Sequence, residues 1–344
     1  MSMKTPAQIN PIGYQPAGQF EETRFEKIHN VIFEDSKQGS LQVAHEIADL
    51  IRSKADKGES CVLGLATGSS PIKVYEELVR LHKEEGLSFA HVTTFNLDEY
   101  HPMEPSNIQS YHYFMHQHLF DHVDIDPANV HIPDGTVGTD HIKDHCREYE
   151  AKIAQAGGLD FQLLGIGRTG HIGFNEPGSH YNSATRDITL DHITRVDAAP
   201  AFKGLENVPR KAITMGIGTI KKAKRIVLMA WGQNKADVIK ETIEGEISPE
   251  VPATYLQEHG NTTFVLDRES SAHLTRIDTP WLVGDCEWTA DQTHKAVVWL
   301  SIRKQKPILQ LTDKDYNDSG MSDLLSTEQS SYEINIKTFN RLQH

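Results

Sequence analysis

A glycine-rich stretch, Gly165-Ile-Gly-Arg-Thr-Gly-His-Ile-Gly-Phe-Asn-Glu-Pro177, decides how this chain is expected to fold. It follows residues 159–164, an apolar run of the length typical of a buried strand in a parallel sheet. In open α/β sheets, the loops at the carboxyl ends of the strands bind ligands. His171 and Glu176 share this loop, and a nearby carboxylate can fix the tautomer of an imidazole and keep it ready for proton transfer. The stretch therefore predicts a sheet with a reactive site at its edge.

Two other interpretations of the stretch have to be considered. Gly165, Gly167 and Gly170 match the dinucleotide pattern G-x-G-x-x-G, and Asp191 lies at a distance suited to a ribose contact. However, a dinucleotide loop opens directly into a helix, and residues 171–177 have no helical apolar period. The second alternative is a structural turn around a hydrogen-bonded core histidine, which an isolated Gly-His pair would favour.

Strands and helices alternate along most of the chain. The predicted strands are 31–33, 61–66, 92–97, 129–132, 159–166, 186–190, 225–231 and 262–266, and the predicted helices are 40–54, 72–85, 107–122, 141–156, 218–223 and 234–245. This alternation predicts an α/β fold, with a doubly wound, mostly parallel, Rossmann-like sheet and helices on both faces. We expect an arm at 1–27, one main domain at 28–270, and a C-terminal extension or linker at 271–344 with a single helix, 290–303.

Composition excludes several classes of partner. The net charge of the 344-residue chain is −14 and there is no run of Lys or Arg, which argues against binding to nucleic acid or to an anionic membrane. Cys61, Cys146 and Cys286 are far apart and odd in number, which favours a reducing cytoplasm over a disulfide framework or a zinc site. We expect no targeting segment and no transmembrane span.

Two further loops follow predicted strands. The first, Thr67-Gly68-Ser69-Ser70-Pro71, offers backbone N–H groups and hydroxyls at the start of a helix, an arrangement suited to phosphate, although an ordinary helix N-cap explains it equally simply. The second, Asp98-Glu99-Tyr100, places two carboxylates after a strand, of which only one can face a cleft because successive side chains point in opposite directions. That one is suited to abstract a proton next to a carbonyl, or else the pair caps the following turn.

Two other features have competing interpretations. Lys235 follows a predicted strand and could bind the same phosphate, or be an ordinary surface lysine. The pairs His112/His116 and His118/His122 have the i, i+4 spacing of metal ligands. Because the two pairs fall on different helix faces, we expect no metal there.

At these residues the sequence resembles the glucosamine-6-phosphate deaminases, which are related to the 6-phosphogluconolactonases. The resemblance covers about residues 30–270. Its motifs are Leu65-Ala-Thr-Gly-Ser-Ser-Pro71, Phe95-Asn-Leu-Asp-Glu-Tyr100, Ser110-Tyr111 with Phe114-Met115-His116, Gly170-His-Ile-Gly-Phe-Asn-Glu-Pro177 and Gly232-Gln-Asn-Lys-Ala236. The continuation Phe-Asn-Glu-Pro is specific to the deaminase branch.

The resemblance implies a role for each matching residue. Asp98 would move the proton between C2 and C1 of the sugar, while Glu99 would be structural. His171 would open the sugar ring, oriented by Glu176. The 6-phosphate would be held by Thr67, Gly68, Ser69, Ser70 and Lys235. Hydrolysis of the resulting imine would release ammonia and fructose 6-phosphate. The resemblance implies no metal and no organic cofactor, an amino-sugar phosphate as the small-molecule partner, and a homo-oligomer.

The sequence departs from the family pattern at several positions. Thr169 stands where the family usually has an aspartate, so we expect Glu176 to stabilise most of the charge on an imidazolium. The family's phosphate-binding arginine falls at or near Pro200, and the nearest replacements are Arg195 and Arg186, of which we select Arg186. Ile188 replaces a basic residue of the allosteric site known in some members, which argues against that regulation.

These departures leave two rival functions open. The first is a lactonase acting on a sugar phosphate, and the second is a sugar-phosphate sensor that has lost the chemistry, as Thr169 would suggest. The C-terminal 70 or so residues resemble the connecting region of longer bacterial deaminases that continue into a deacetylase-like domain, which implies that the chain is a fragment of a two-domain protein.

Overall fold

The computed structural model describes residues 12–15, 17–325 and 330–343. Residues 1–11 and 16 of the predicted arm lie outside the described residues. The described chain divides into two compact units. The first contains residues 26–272 with the strand at 12–15, and the second contains residues 17–25 and those after 272.

The first unit is built on an eight-stranded sheet and a separate three-stranded sheet. In chain order the strands are β1 (Ile12–Gln15), β2 (His29–Phe33), β3 (Cys61–Leu65), β4 (Val92–Asn96), β5 (Asp98–His101), β6 (Val130–His131), β7 (Phe161–Leu164), β8 (Arg186–Thr189), β9 (Lys211–Thr214), β10 (Ile226–Ala230) and β11 (Thr262–Asp267). The large sheet has the order β1-β2-β11-β10-β7-β3-β4-β6, and all its neighbours are parallel except β1 and β2. The predicted doubly wound α/β fold is therefore confirmed.

Helices lie between the strands along the chain, and the longer ones bury an apolar side. They are α1 (Ser36–Asp56), α2 (Ile72–Glu85), α3 (Tyr111–His118), α4 (Ile142–Gln155), α5 (His192–Ala198), α6 (Ile217–Ile220) and α7 (Ala236–Glu244). In α1, residues Val43, Ile47 and Ile51 recur at the helical period and are fully buried in the main core. This helix begins earlier than predicted because the Asp35 side chain caps it by accepting a hydrogen bond from the Gln38 N–H.

The histidine-rich helix α3 is shorter than the predicted 107–122. The Ser110 hydroxyl accepts a hydrogen bond from the Tyr113 N–H and fixes its start. It ends at Leu119, whose backbone leaves the helical conformation, and a short 3₁₀ turn, Phe120–His122, follows. One continuous helix was therefore the wrong prediction for this segment.

The three-stranded sheet, with the antiparallel order β5-β9-β8, was not predicted. Leu97 alone separates β4 from β5, so the chain passes directly from the large sheet into the small one at Asp98. There Asp98 pairs in register with Thr214 of β9, which also pairs with Arg186 of β8. The segment predicted as a strand at 186–190 thus lies outside the parallel sheet.

The second unit is helical and has a core of its own. Its helices are α8 (Thr275–Asp278), α9 (Ala290–Lys304), α10 (Asp313–Asn317), α11 (Ser322–Leu325) and α12 (Ser331–Leu342). Trp281, Leu300, Tyr316 and Ile334 are among its buried side chains. The predicted helix 290–303 is confirmed, but the polar stretch after it is also helical, which the sequence analysis missed.

None of the helices in the described part of the chain is both long enough and apolar enough to cross a membrane.

Candidate active site

A cleft of about 550 Å³ opens at the carboxyl ends of four neighbouring strands of the large sheet, β10, β7, β3 and β4. It is lined by the loops that follow these strands. The side chains predicted for the site that line it are Thr67, Ser69, Ser70, Asp98, His171 and Lys235, together with Gly68. Segments separated by more than a hundred residues in sequence are therefore brought to one cavity.

The glycine-rich loop folds tightly around His171. The Gly167 N–H donates a hydrogen bond of 3.0 Å to the backbone carbonyl of His171, and the imidazole lies against the Cα of Gly167. A Cβ at position 167 would lie 1.9 Å from Cε1 of the ring, so only glycine fits. The loop does not open into a helix, since the next one, α5, begins at His192. The dinucleotide interpretation is therefore wrong.

Thr169 and Glu176 both approach Nδ1 of His171. The Thr169 Oγ1 lies 2.9 Å from this nitrogen and a carboxylate oxygen of Glu176 lies 3.5 Å from it. Burial is the main reason that the pKa of His171 falls to about 4, and the positive charge of Lys235 lowers it further. The imidazole is therefore neutral at pH 7. Its Nδ1 is hydrogen-bonded with the Thr169 hydroxyl, while the Glu176 oxygen lies near it without a hydrogen bond.

Burial also raises the pKa of Glu176. The backbone N–H of Asp191 donates to its other carboxylate oxygen at 3.2 Å, which ties the glycine-rich loop to the start of α5.

Asp98 lies at the edge of the cleft, with only 5% of its surface exposed. Desolvation raises the pKa of this carboxyl well above the ordinary range, and the neighbouring Glu99 raises it further. Gly173, whose φ of +56° favours glycine, faces it, and a Cβ there would lie 3.3 Å from the Asp98 Oδ2. Because position 173 has no side chain, the space in front of the Asp98 carboxylate stays open.

Glu99 points away from the cleft and binds the start of α3. Its carboxylate accepts hydrogen bonds from the backbone N–H groups of Tyr100, Tyr111 and His112, at 2.9, 3.0 and 3.0 Å. Burial raises its pKa to about 7 against the opposing effect of these donors. The two adjacent carboxylates therefore face different surroundings, as alternation along a strand requires.

Aromatic rings form the wall beside Asp98. The Tyr111 ring, which lines the cleft, stacks on Phe174 with centroids 5.8 Å apart, and Tyr100 packs on Tyr111 at 5.0 Å. These apolar faces exclude water from one side of the site, which accounts for much of the desolvation of Asp98.

The loop after β3 also lines the cleft. Pro71 caps α2, and no side chain of the loop caps this helix, so the N-cap interpretation of Thr67, Ser69 and Ser70 is wrong. The Trp231 indole N–H donates to the Ser70 carbonyl at 3.3 Å and holds the loop against the end of β10. Thr67, Gly68, Ser69 and Ser70, which precede α2, all line the cleft.

Lys235 is half-buried in the cleft and is not a surface lysine. Its Nζ donates a hydrogen bond of 2.7 Å to the carbonyl of Ile166, and burial lowers its pKa. The ammonium therefore stands at the junction of the glycine-rich loop and the loop after β10.

Arg186, which the sequence analysis selected for phosphate binding, does not line this cleft. It belongs to β8 of the small sheet and lines a separate cavity beside α4. Its guanidinium donates to the Asn175 Oδ1 at 2.9 Å and to the Ser179 Oγ at 3.1 Å, so it braces the end of the glycine-rich segment.

Arg195, the other candidate, is engaged on α5. Its guanidinium donates to the backbone carbonyls of Leu205 and Val208, at 2.8 and 3.2 Å. It serves to fix the chain after that helix.

Sequence reasoning missed Arg168 and Asp197, which both line the cleft. They form an ion pair with two hydrogen bonds, at 3.0 and 2.6 Å. Arg168 could have been noticed because it stands inside the glycine-rich stretch. Asp197 carried no comparable signal, since an acidic residue on a short helix is most simply a solvated one.

The histidines of α3 pack among themselves. His112 and His116 stack with centroids 4.5 Å apart, and the His116 Nδ1 lies 2.7 Å from a carboxylate oxygen of Asp121. Within residues 12–15, 17–325 and 330–343, no group of three or more His, Cys, Asp or Glu side chains is arranged to hold a metal ion.

Comparison with known proteins places the chain in a family. Residues 34–265 match the family model of the glucosamine-6-phosphate isomerases and 6-phosphogluconolactonases. The chain belongs to this family. A glucosamine-6-phosphate deaminase of a Thermoanaerobacter species is 46% identical over 237 residues, which cover 69% of the present chain and 93% of that enzyme.

A longer relative matches almost the whole chain. A Bacteroides thetaiotaomicron protein described as glucosamine-6-phosphate deaminase-like is 49% identical over 340 residues, which are 98% of this chain and 51% of that protein. The chain thus spans about half the length of this relative.

Solved structures show the same fold. A monomeric glucosamine-6-phosphate deaminase superposes with a TM-score of 0.68 at 41% identity, covering 71% of this chain and 99% of that one. A 6-phosphogluconolactonase from Leishmania guyanensis gives 0.57 at 22% identity, with 70% and 96% covered, and shows the shared fold alone.

Proposed function

We propose that this family member converts glucosamine 6-phosphate to fructose 6-phosphate and ammonia, by aldose–ketose isomerisation with deamination. The observation that carries the proposal is that Asp98 and His171 line one cleft together with the loop 67–71 and Lys235. An acid/base pair is thus combined with groups suited to an anion. The deaminases among its relatives support the same activity.

The phosphate of the substrate binds between two loops in this proposal. Thr67, Ser69 and Ser70 donate hydroxyl hydrogen bonds, Gly68 allows close approach of the backbone, and Lys235 supplies a positive charge. Because the chain has a net charge of −14, these local groups are what make the cleft attractive to a phosphate.

His171 opens the sugar ring. With a pKa of about 4 the imidazole is neutral, so Nε2 can accept the proton of the C1 hydroxyl and return it to the ring oxygen as the C1–O5 bond breaks. Thr169 and Glu176 hold Nδ1 on the other side and keep the ring oriented during both transfers. The product is the open-chain amino aldehyde.

Asp98 then carries out the isomerisation. As a carboxylate it removes the proton from C2, and the electron pair forms a C1–C2 double bond while the aldehyde oxygen at C1 takes a proton from the substrate's ammonium group. The C2 proton is then returned to C1 as the nitrogen lone pair forms the C2–N double bond, which leaves a hydroxyl on C1 and a protonated imine at C2. Water adds to this imine and ammonia leaves, giving fructose 6-phosphate. The high proton affinity of Asp98 suits it to this step, and Glu99 contributes only by fixing α3. The substrate's own nitrogen and carbonyl accept the electrons, so no cofactor is required.

The remaining expectations concern the whole protein. We propose residues 28–270 as the catalytic domain, 1–27 as an arm and 271–344 as an extension. The separate cores of the two compact units support the boundary near residue 271, whereas the strand at 12–15 belongs to the first unit and residues 17–25 to the second. Three free cysteines support a cytoplasmic location. The resemblance implies a homo-oligomer, whereas one similar structure is described as monomeric, and light scattering of the purified protein distinguishes the two.

The test is to incubate the purified protein with glucosamine 6-phosphate and to assay ammonia and fructose 6-phosphate. Wild type should form both and Asp98→Asn should form neither. Acid release from 6-phosphogluconolactone would instead indicate the lactonase. Thermal stabilisation by the sugar phosphate without any turnover would indicate a sensor.

A further inference from the structure

Two cations line the cleft within the part of the chain that the structure describes, and the proposed function uses only Lys235. The other is Arg168, which stands next to Thr169 in the glycine-rich loop. A phosphate monoester carries between one and two negative charges at neutral pH, about −1.5 to −2, so one ammonium alone does not neutralise it.

The ion pair of Arg168 leaves part of the guanidinium available. Nε and Nη2 donate to the two carboxylate oxygens of Asp197, at 3.0 and 2.6 Å. A guanidinium has about five N–H donors, and this side-on pair engages one on each of two nitrogens. The donors along the Nη1 and Nη2 edge remain for a second anion, in the fork geometry that matches phosphate.

Stability is a poor explanation for this pair. The side chain of Arg168 is 50% exposed and that of Asp197 is 43% exposed. Ion pairs this accessible to solvent contribute little to folding. Its position in the cleft, where a phosphate would bind, is therefore the more informative property.

We propose that Arg168 is a second phosphate-binding residue of this cleft, which contacts the 6-phosphate of the substrate together with Lys235. The inference rests on the proposed function for the identity of the substrate, but it concerns anion binding and can be tested without turnover. It also gives the cleft an arginine although the position expected for one holds Pro200.

The experiment measures binding of fructose 6-phosphate, and of inorganic phosphate, by isothermal titration calorimetry to wild type, Arg168→Gln and Asp197→Asn. Loss of the guanidinium should raise Kd by about 10- to 100-fold, the effect expected for hydrogen bonds to a charged group. Asp197→Asn removes a competing negative charge and keeps an acceptor oxygen, so its Kd should equal or fall below that of wild type. Arg52→Gln, which breaks the ion pairs of Arg52 with Asp49 and Glu85 away from the cleft, is the matched control and should bind as wild type does.

The two variants separate this proposal from a structural role for the pair. If the pair only tied the loop to α5, both variants would weaken that tie and both would raise Kd, which would overturn the proposal. A Kd for Arg168→Gln within twofold of wild type, or a wild type that binds neither anion, would also overturn it. Arg168→Lys, which keeps the charge without the fork, should fall between wild type and Arg168→Gln.

Ammonia release tests the proposed function separately. A wild type that binds fructose 6-phosphate through Arg168 without deaminating glucosamine 6-phosphate would contradict the activity and leave the binding role standing. Full deamination activity in Arg168→Gln would support the proposed activity and contradict the binding role of Arg168.

Discussion

The imidazole of His171 occupies the space that any side chain at position 167 would need. A Cβ on Gly167 would lie 1.9 Å from Cε1, 2.2 Å from Nε2 and 2.3 Å from Nδ1 of the ring. Gly167, which first suggested a nucleotide loop, thus leaves the space in which the His171 ring lies. It lets the ring of His171, the proposed acid/base, lie directly on the backbone.

Gly167→Ala should therefore inactivate the enzyme by displacing His171. A displacement of the ring by about 1 Å is enough to lower kcat by about 100-fold. Steady-state ammonia release measures the effect. Gly165→Ala is the control from the same loop, since its Cβ would meet only the Ser70 Oγ at 4.0 Å, and it should cause a far smaller loss. Equal losses of activity in the two variants would contradict the claim that a side chain at position 167 displaces the His171 ring.

Asp98→Asn should make the folded protein more stable at high pH. Burial raises the folded-state pKa of Asp98 above its unfolded value, so ionisation favours the unfolded state as the pH rises. The gain in unfolding free energy over wild type should be small near pH 4 and stop growing once the pH passes the folded-state pKa of Asp98. Between the unfolded-state and folded-state pKa values it should grow by about 1.4 kcal/mol per pH unit. Thermal unfolding at pH 5 and pH 8 measures it.

The control for that comparison is Asp49→Asn, whose side chain is 75% exposed on α1. Its unfolding temperature should change little, and by the same amount at both pH values. A stabilisation by Asp98→Asn that does not increase with pH would mean that burial does not raise the pKa of Asp98.

Thr169→Asp should raise the pKa of His171 well above its present value of about 4. The new carboxylate would stand where a neutral hydroxyl now lies 2.9 Å from Nδ1, and it would stabilise the imidazolium. An NMR titration of the His171 ring protons measures the pKa, and the pH profile of kcat should move with it. Thr169→Val, which removes the oxygen and keeps the shape, should not raise the pKa. If turnover does not change in Thr169→Asp, an aspartate at this position was never needed.

Tyr316→Phe should destabilise the second unit while leaving ammonia release unchanged. The Tyr316 hydroxyl donates a hydrogen bond of 2.7 Å to the Asn335 Oδ1, and both side chains are buried. Leaving that amide oxygen without its donor costs about 1–3 kcal/mol. Tryptophan fluorescence can follow the unfolding, since this unit contains Trp281, Trp288 and Trp299. Tyr332→Phe, at a residue that is 67% exposed, should have no effect.

The parallel sheet and the loops of the cleft could be predicted from the sequence because their signals are local. The strand β3 is a short apolar run that ends in a glycine- and serine-rich loop, and β7 has the same form. Since parallel strands present their carboxyl ends at one edge, the convergence of Asp98 and His171 followed from the alternation of strands and helices.

The small sheet could not be predicted, because its pairing is not local. The strand β5 begins one residue after β4 and has the sequence Asp-Glu-Tyr-His, which has no apolar alternation. Its partner β9 lies more than a hundred residues further along the chain. No periodicity within either segment indicates such a partner.

The location of Arg186 outside the cleft could not be predicted for the same reason. The resemblance offered arginines near the expected position, but whether one of them faces the cleft depends on which sheet carries it. Arg168 and Asp197 were missed because an ion pair between residues 29 positions apart leaves no pattern in the sequence.

The order of the strands has a consequence for how the protein acquires activity as it folds. β7 lies between β3 and β10 in the sheet, although it follows β3 by about a hundred residues in the chain. A nascent chain that ends before Phe161 can pair β3 with β4, but nothing then carries His171 to Asp98. Lys235 arrives later still, with the loop after β10. The cleft therefore cannot be complete before these distant strand pairings have formed. Contacts between segments that are far apart in sequence are slow to form.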